Sequence, residues 1–167
     1  MKKVILGATG SIGSSLAKKL VESGEQVHLV GRDETSLSEL ANELDSTFTT
    51  CDVLEENFSE KIINDLKDEQ VNGLAYCVGS IDLKPLKLTK KSDFMQSFNL
   101  NLVSATEIIK SLADKLKASK GSIVLFSTVA VQQGFPNHAI VSSAKGAVEG
   151  LTLALAAEYA PNIRVNC

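Results

Sequence analysis

Apolar and polar positions along the chain alternate between two rhythms. Six short runs rich in β-branched and aliphatic residues read as strands: 4–6, 26–30, 46–50, 71–78, 122–126 and 163–167. The stretches between them carry apolar residues three and four apart. Ile12, Leu16 and Leu20 mark a buried face of one helix, Leu37, Leu40, Ala41 and Leu44 of a second, and Phe58, Ile62 and Leu66 of a third. Phe94, Phe98, Leu102, Ala105, Ile109, Leu112 and Leu116 extend the same spacing into a long fourth helix. The last helix, 140–159, is apolar on more than one face, so it is expected to be central or shared with another subunit. Strands that alternate with helices in this way predict an α/β fold: a Rossmann-like, doubly wound parallel sheet of six strands in a three-layer α/β/α sandwich.

Punctuation supports these boundaries. Ser23-Gly24 and Lys120-Gly121 stop helices, Pro161 ends the last one, and Asp33 is placed to cap the second. Asn57-Phe58-Ser59-Glu60 has the form of a capping box for the third. Asn72-Gly73 interrupts the fourth strand, while 80–91 and 129–138 read as loops. Asn101 stands inside the long helix, where its amide competes for backbone hydrogen bonds, so a partner for it is expected.

The first strand runs directly into Gly7-Ala8-Thr9-Gly10-Ser11-Ile12-Gly13 and then into a helix. Three glycines at intervals of three allow a tight turn, close approach of a pyrophosphate, and packing of the helix on its strand, with free helix N–H groups facing the anion. The stretch therefore predicts a dinucleotide site formed by Gly7, Thr9, Gly10, Ser11, Ile12 and Gly13. Gly31-Arg32-Asp33 closes the second strand, where an acidic residue takes a ribose 2′-hydroxyl and an arginine a 2′-phosphate; Gly31 and Arg32 favour NADP over NAD, unless Arg32 is only a solvated loop charge. Asp52 and Val53 end the third strand: the pair either receives an adenine ring or forms a turn. Gly79 ends the fourth, either as a turn glycine or to let the chain pass close to a nicotinamide ribose. Ser127-Thr128 stands at the carboxyl end of the fifth strand, the edge on which such sheets bind ligands.

Composition narrows the function classes. The 167 residues suit a single domain, and a net charge of −3 with scattered lysines argues against nucleic acid or an anionic membrane as partner. No run is expected to reach the roughly 20 apolar residues of a membrane span. Cys51, Cys77 and Cys167 are odd in number and far apart, without zinc spacing, so reduced thiols in a cytoplasmic protein and no metal site are expected.

The opening glycine pattern, Asp52-Val53, Asn101, Ser127-Thr128 and Ala144-Lys145 together resemble the short-chain dehydrogenase/reductase superfamily from Val4 to Asn166. That resemblance implies hydride transfer between a nicotinamide cofactor and a small carbonyl or alcohol substrate, in a homodimer or homotetramer packed through the two long helices. It implies that Asn101 bends its helix and holds a relay water, and that Lys145 binds the cofactor ribose and tunes the family's tyrosine. Thr128 stands where the family has serine. The tyrosine position itself is Val141, which has no exchangeable proton, and the family's Asn-Asn-Ala-Gly is Tyr76-Cys77-Val78-Gly79. His138, three residues before Val141, is the candidate substitute proton donor. A catalytically silent NADP-binding protein is the alternative. Family members continue past the sixth strand, so the single domain 1–167 is expected to be truncated on its C-terminal side.

Overall fold

The computed structural model describes residues 1–167. Its sheet has six parallel strands in the order β3-β2-β1-β4-β5-β6: Lys2–Leu6 (β1), Gln26–Gly31 (β2), Thr47–Thr50 (β3), Val71–Tyr76 (β4), Ser122–Val124 (β5) and Arg164–Asn166 (β6). Ser11–Glu22 (α1) and Glu34–Glu43 (α2) follow the first two strands, and Phe58–Asp65 (α3) follows the third. Lys91–Phe98 (α4), Ser104–Ala118 (α5), Ala130–Gln133 (α6) and Ala139–Tyr159 (α7) complete the set. Alternate residues of β1 face opposite cores: Val4 and Leu6 pack with α3 and α5, whereas Ile5 packs with Ala17 and Leu37 of α1 and α2. The chain winds outward from β1 to β3, then returns to place β4 on the other side of β1. This reversal opens a crevice above the carboxyl ends of β1 and β4.

Element types follow the sequence pattern, and the departures have local causes. Ile12 is exposed rather than buried, because Gly13 and Ala17 take the inward positions of α1 and turn Ile12 aside. The Asn72-Gly73 interruption is a bulge: Lys2 pairs with Val71 and Lys3 with Gly73, leaving Asn72 unpaired within a continuous β4. That strand stops at Tyr76, short of Val78. Asp33 does cap α2, its carboxylate accepting from the Ser36 amide at 2.7 Å, but Asn57 makes no side-chain cap bond and the capping box at α3 does not form.

The long fourth helix is two helices joined by a π-turn, Asn99–Val103. Its inward stripe in this half is Ser97, Asn101 and Ser104, with Phe94, Phe98 and Leu102 half-buried beside it. Asn101 and Ser104 occupy inward positions because their side chains serve carbonyls in and beside the disturbed helical ladder, and the Ser97 hydroxyl accepts from Asn101. A correction also falls on the last helix, where α7 reaches 21 residues with a mean hydropathy of 1.3, enough by length and composition to cross a membrane. Here Ile140, Val141, Ala144 and Val148 are buried, and α7 packs against β6, α4 and the π-turn.

Opposite the crevice lies a partly buried polar chain, with Lys2, His28 and Thr49 inside and Thr47 and Asp65 at the surface. The Lys2 ammonium donates to the Thr47 hydroxyl at 2.9 Å, and the His28 ring lies 2.8 Å from Thr47 through Nδ1 and 2.9 Å from Thr49 through Nε2; the Thr49 hydroxyl donates to the Asp65 carboxylate. Lys2 has only protons to give and Asp65 only lone pairs, so the chain runs one way and His28 carries its proton on Nε2. Burial, reinforced by the Lys2 charge and only partly opposed by Asp65 and Glu69, lowers the His28 pKa from 6.5 to about 4. Unfolded His28 binds a proton below pH 6.5 that the folded state refuses until about pH 4, so the stability is complete above pH 6.5 and is lost as the pH falls. Urea unfolding should show a loss of about 2 kcal/mol between pH 7 and pH 5, and His28→Gln should flatten that slope. An unchanged slope in the variant would contradict the assignment.

Candidate nucleotide and catalytic site

Helix α1 begins without a side-chain cap and without an acidic residue in its first turn; Gly10 is its N-cap. The first ladder bond is Ser14 N–H to the Gly10 carbonyl, so the amides of Ser11, Ile12 and Gly13 have no backbone partner and point out of the helix end. An anion seated there meets main-chain donors and the positive end of the helix dipole. Each glycine has a steric reason. Gly7 has φ +74°, and a Cβ there would lie 3.0 Å from the Cys77 carbonyl carbon; a Cβ on Gly13 would collide with the Gly7 carbonyl oxygen. Gly10 is closed only by a Gly7 contact at 3.3 Å.

A cleft of about 400 Å³ continues from this loop over the carboxyl ends of β1, β2, β3 and β4. Gly7, Thr9, Gly10, Arg32, Asp52, Val53 and Gly79 all line it, so the structure brings these predicted residues together. Asp52 makes the turn that its sequence allowed, one oxygen accepting from the Leu54 amide at 3.0 Å, and its other oxygen lies 3.7 Å from the Arg32 guanidinium. Arg32 is 78% exposed, so that pair holds it weakly and leaves it free to turn to another anion. Asp33 is already engaged by Ser36. Cys51 and Cys77 also line the cleft, and burial raises both thiols to about 11, which leaves them protonated packing groups. Their positions at strand ends were the only signal for them in the sequence.

At the Gly79 end two polar side chains converge. A Cβ on Gly79 would stand 2.9 Å from Asn101 Oδ1 and 3.3 Å from Lys145 Nζ. Asn101 is 1% exposed and its amide nitrogen donates to the Ser97 carbonyl at 2.9 Å, yet Oδ1 accepts nothing. A buried acceptor without a donor marks a place for a water or ligand proton. Burial lowers the Lys145 pKa, with Cys167 and Cys77 acting in the opposite sense.

Thr128 lies elsewhere. It lines an adjoining, more open cavity of about 640 Å³ with Ser127, Glu149, Asn166 and Cys167, and its hydroxyl accepts from the Ala130 amide at 3.3 Å. Ser127 donates to the Glu149 carboxylate, a pair that sequence reasoning missed because only the fold brings β5 and α7 together. His138 stands at the N-cap of α7, with Nδ1 donating to the Pro136 carbonyl at 2.8 Å and its ring against Phe135. Val141 is buried.

A family model described as enoyl-(acyl carrier protein) reductase matches residues 7–167. The chain is 31% identical over 169 residues to L-fucose dehydrogenase of Oryctolagus cuniculus, covering 98% of this chain and 60% of that protein. It is 31% identical over 171 residues to L-xylulose reductase of Bos taurus, covering 99% and 68%. The chain belongs to the short-chain dehydrogenase/reductase family. A solved structure of a short chain dehydrogenase/reductase family protein superposes with a TM-score of 0.92 at 25% identity, covering 99% of this chain and 72% of that one. The chain thus spans about 60% to 68% of the length of these curated relatives. Members of this family use NAD(P), and the residues present fit such a group: a glycine cradle that side chains would fill, unpaired helix amides, and the orphaned Asn101 oxygen at the far end.

The Gly7–Gly13 contact is the tightest part of that fit. Gly13→Ala forces the helix off its strand and should destabilise the fold by about 1–3 kcal/mol, read as a lower urea midpoint. An unchanged midpoint would show that the loop can give way.

Proposed function

We propose that this short-chain dehydrogenase/reductase family chain binds NADP(H) in the cleft and transfers hydride between it and a small carbonyl or alcohol. The observation that carries the reading is the convergence of Asn101 Oδ1 and Lys145 Nζ on Gly79. There an unpaired acceptor and a half-buried cation flank the end of the cleft that lies away from the glycine loop. Nicotinamide supplies the hydride when bound. The main-chain amides of Ser11, Ile12 and Gly13 hold the pyrophosphate, and Val53 and Asp52 receive the adenine. Lys145 binds the ribose hydroxyls, while Asn101 Oδ1 orients a water for proton relay. Thr128 donates to the substrate carbonyl from the adjoining cavity.

Preference for NADP over NAD is supported by Arg32 at the cleft, whereas the carboxylate that follows it, Asp33, caps α2 through the Ser36 amide and does not line the cleft. His138 is proposed as the proton source in place of the family's tyrosine: Nδ1 is tied to the Pro136 carbonyl, which leaves Nε2 as the ring nitrogen without a protein partner. A second reading, a catalytically silent NADP-binding protein, is favoured by Val141, which is buried and has no proton to give. We propose further that the chain works in the cytoplasm as a homodimer or homotetramer; Leu153, 75% exposed on α7, supports a helix shared between subunits.

Stopped-flow mixing of NADPH with a panel of small carbonyls separates the two readings. Oxidation of NADPH is expected, and tight binding without any turnover over hours would leave only the silent protein. His138→Ala should remove most of the turnover, on the order of the 10²–10⁴ that a positioned acid contributes; full activity in the variant would assign the proton elsewhere. In a binding titration, Arg32→Ala should weaken NADPH by about tenfold or more and leave NADH nearly unchanged. Equal losses would refute the 2′-phosphate assignment.

A further inference from the structure

The π-turn that presents Asn101 is held by side chains from outside its own helix. Within Asn99–Val103 the ladder shifts by one residue, so that the Ser104 amide reaches back to the Asn99 carbonyl, five residues away. Such a shift leaves carbonyls with poor axial partners, and inside a core each needs another donor. Three are supplied. The Asn101 amide donates to the Ser97 carbonyl at 2.9 Å, and the Ser104 hydroxyl lies 2.9 Å from the Asn99 carbonyl and 2.8 Å from that of Val53, sharing its proton between them. The third donor is the Tyr76 hydroxyl, 2.6 Å from the Leu100 carbonyl.

Tyr76 is the last residue of β4, three positions before Gly79, and it is 2% exposed. Its ring lies in the core beneath the turn, and burial pushes its phenol pKa well up, so it is a neutral, permanent donor. Because the residue it grips is Leu100, the neighbour of Asn101, the bond sets where the Asn101 side chain leaves the backbone. We propose that Tyr76 is a positioning residue: by donating to the Leu100 carbonyl it ties the π-turn to the end of β4 and aims Asn101 Oδ1 at Gly79 and Lys145. The orphaned oxygen and the glycine that admits it are thus carried by two elements clamped to each other. Only the kinetic consequence rests on the proposed hydride transfer; the clamp itself does not.

Tyr76→Phe keeps the ring and removes the donor. In protein labelled with ¹⁵N and free of nucleotide, the side-chain amide resonances of Asn101 should shift and broaden, and backbone exchange over 99–104 should quicken by about tenfold. Ser119→Ala is the control, since it removes a comparable bond, hydroxyl to the Val71 carbonyl at 2.7 Å, at the far end of the sheet. It should leave the Asn101 resonances in place. Ser104→Ala removes the hydroxyl bonds to the Asn99 and Val53 carbonyls while its amide stays on Asn99, and should reproduce the Tyr76→Phe signature, which decides the matter should Tyr76→Phe fail to fold. In turnover with NADPH, Tyr76→Phe should lower kcat by about tenfold while the KM for NADPH stays within twofold. Unmoved Asn101 resonances in Tyr76→Phe, or an equal shift in the Ser119→Ala control, would overturn the proposal. A wild-type protein that neither binds nor oxidises NADPH would defeat the functional reading and leave the resonance and exchange results to decide the clamp.

Discussion

The closeness of the Gly13 backbone to the Gly7 carbonyl is the contact on which this structure depends. No side chain fits between them, so the start of α1 presses against the end of β1 and its free amides sit at the point where the winding of the sheet reverses. Two consequences follow from that single approach. The helix must turn Ala17 inward and Ile12 outward, which fixes the face of α1 that packs on the sheet. The amides of Ser11, Ile12 and Gly13 are also left at the mouth of a cleft whose other walls are strand ends.

The far end of the cleft is organised by polar bonding instead of steric closeness. Helix α5 is an ordinary amphipathic helix below Ser104, with Ile108, Leu112 and Leu116 buried. Above it the inward positions are Ser97, Asn101 and Ser104; the Asn101 amide and the Ser104 hydroxyl donate to backbone carbonyls, and the Ser97 hydroxyl accepts from Asn101. That half trades apolar packing for a held deformation, and the deformation brings an unpaired acceptor beside Lys145. A buried polar atom with no partner is destabilising by about 1–3 kcal/mol, so its retention at the end of a ligand-sized cleft fits a role in binding. Val141 lies four residues before Lys145 on α7 and has no proton to give, so the proposed hydride transfer requires an acid from another residue.

Much of this was legible in the order of residues. The alternation of strand and helix rhythms gave the parallel sheet, because a strand buried on both faces is continuously apolar and a packed helix is not. The glycine spacing located the cleft, and Arg32, Asp52, Val53 and Gly79 all line it because strand ends on one side of a parallel sheet must meet there. The π-turn was not legible: Phe94, Phe98 and Leu102 keep a regular apolar spacing, and nothing local shows that Ser97 and Asn101 will turn inward, with the Asn101 amide bonding the Ser97 carbonyl. The Ser127–Glu149 pair and the Tyr76–Leu100 bond join segments far apart in the chain, so only the folded arrangement reveals them. The Asn57 box failed for a simpler reason: the right residue types were present, but the Asn57 side chain makes no bond to the helix it precedes.

The central claim is that the α1 amides and the glycine loop receive a dinucleotide pyrophosphate. A crystal structure of the protein grown with NADPH tests it most directly. The pyrophosphate is expected against the amides of Ser11, Ile12 and Gly13, with the nicotinamide ribose beside Lys145. Crystals grown in millimolar NADPH whose glycine loop is instead filled by the protein's own side chains, with no nucleotide in the cleft, would contradict it.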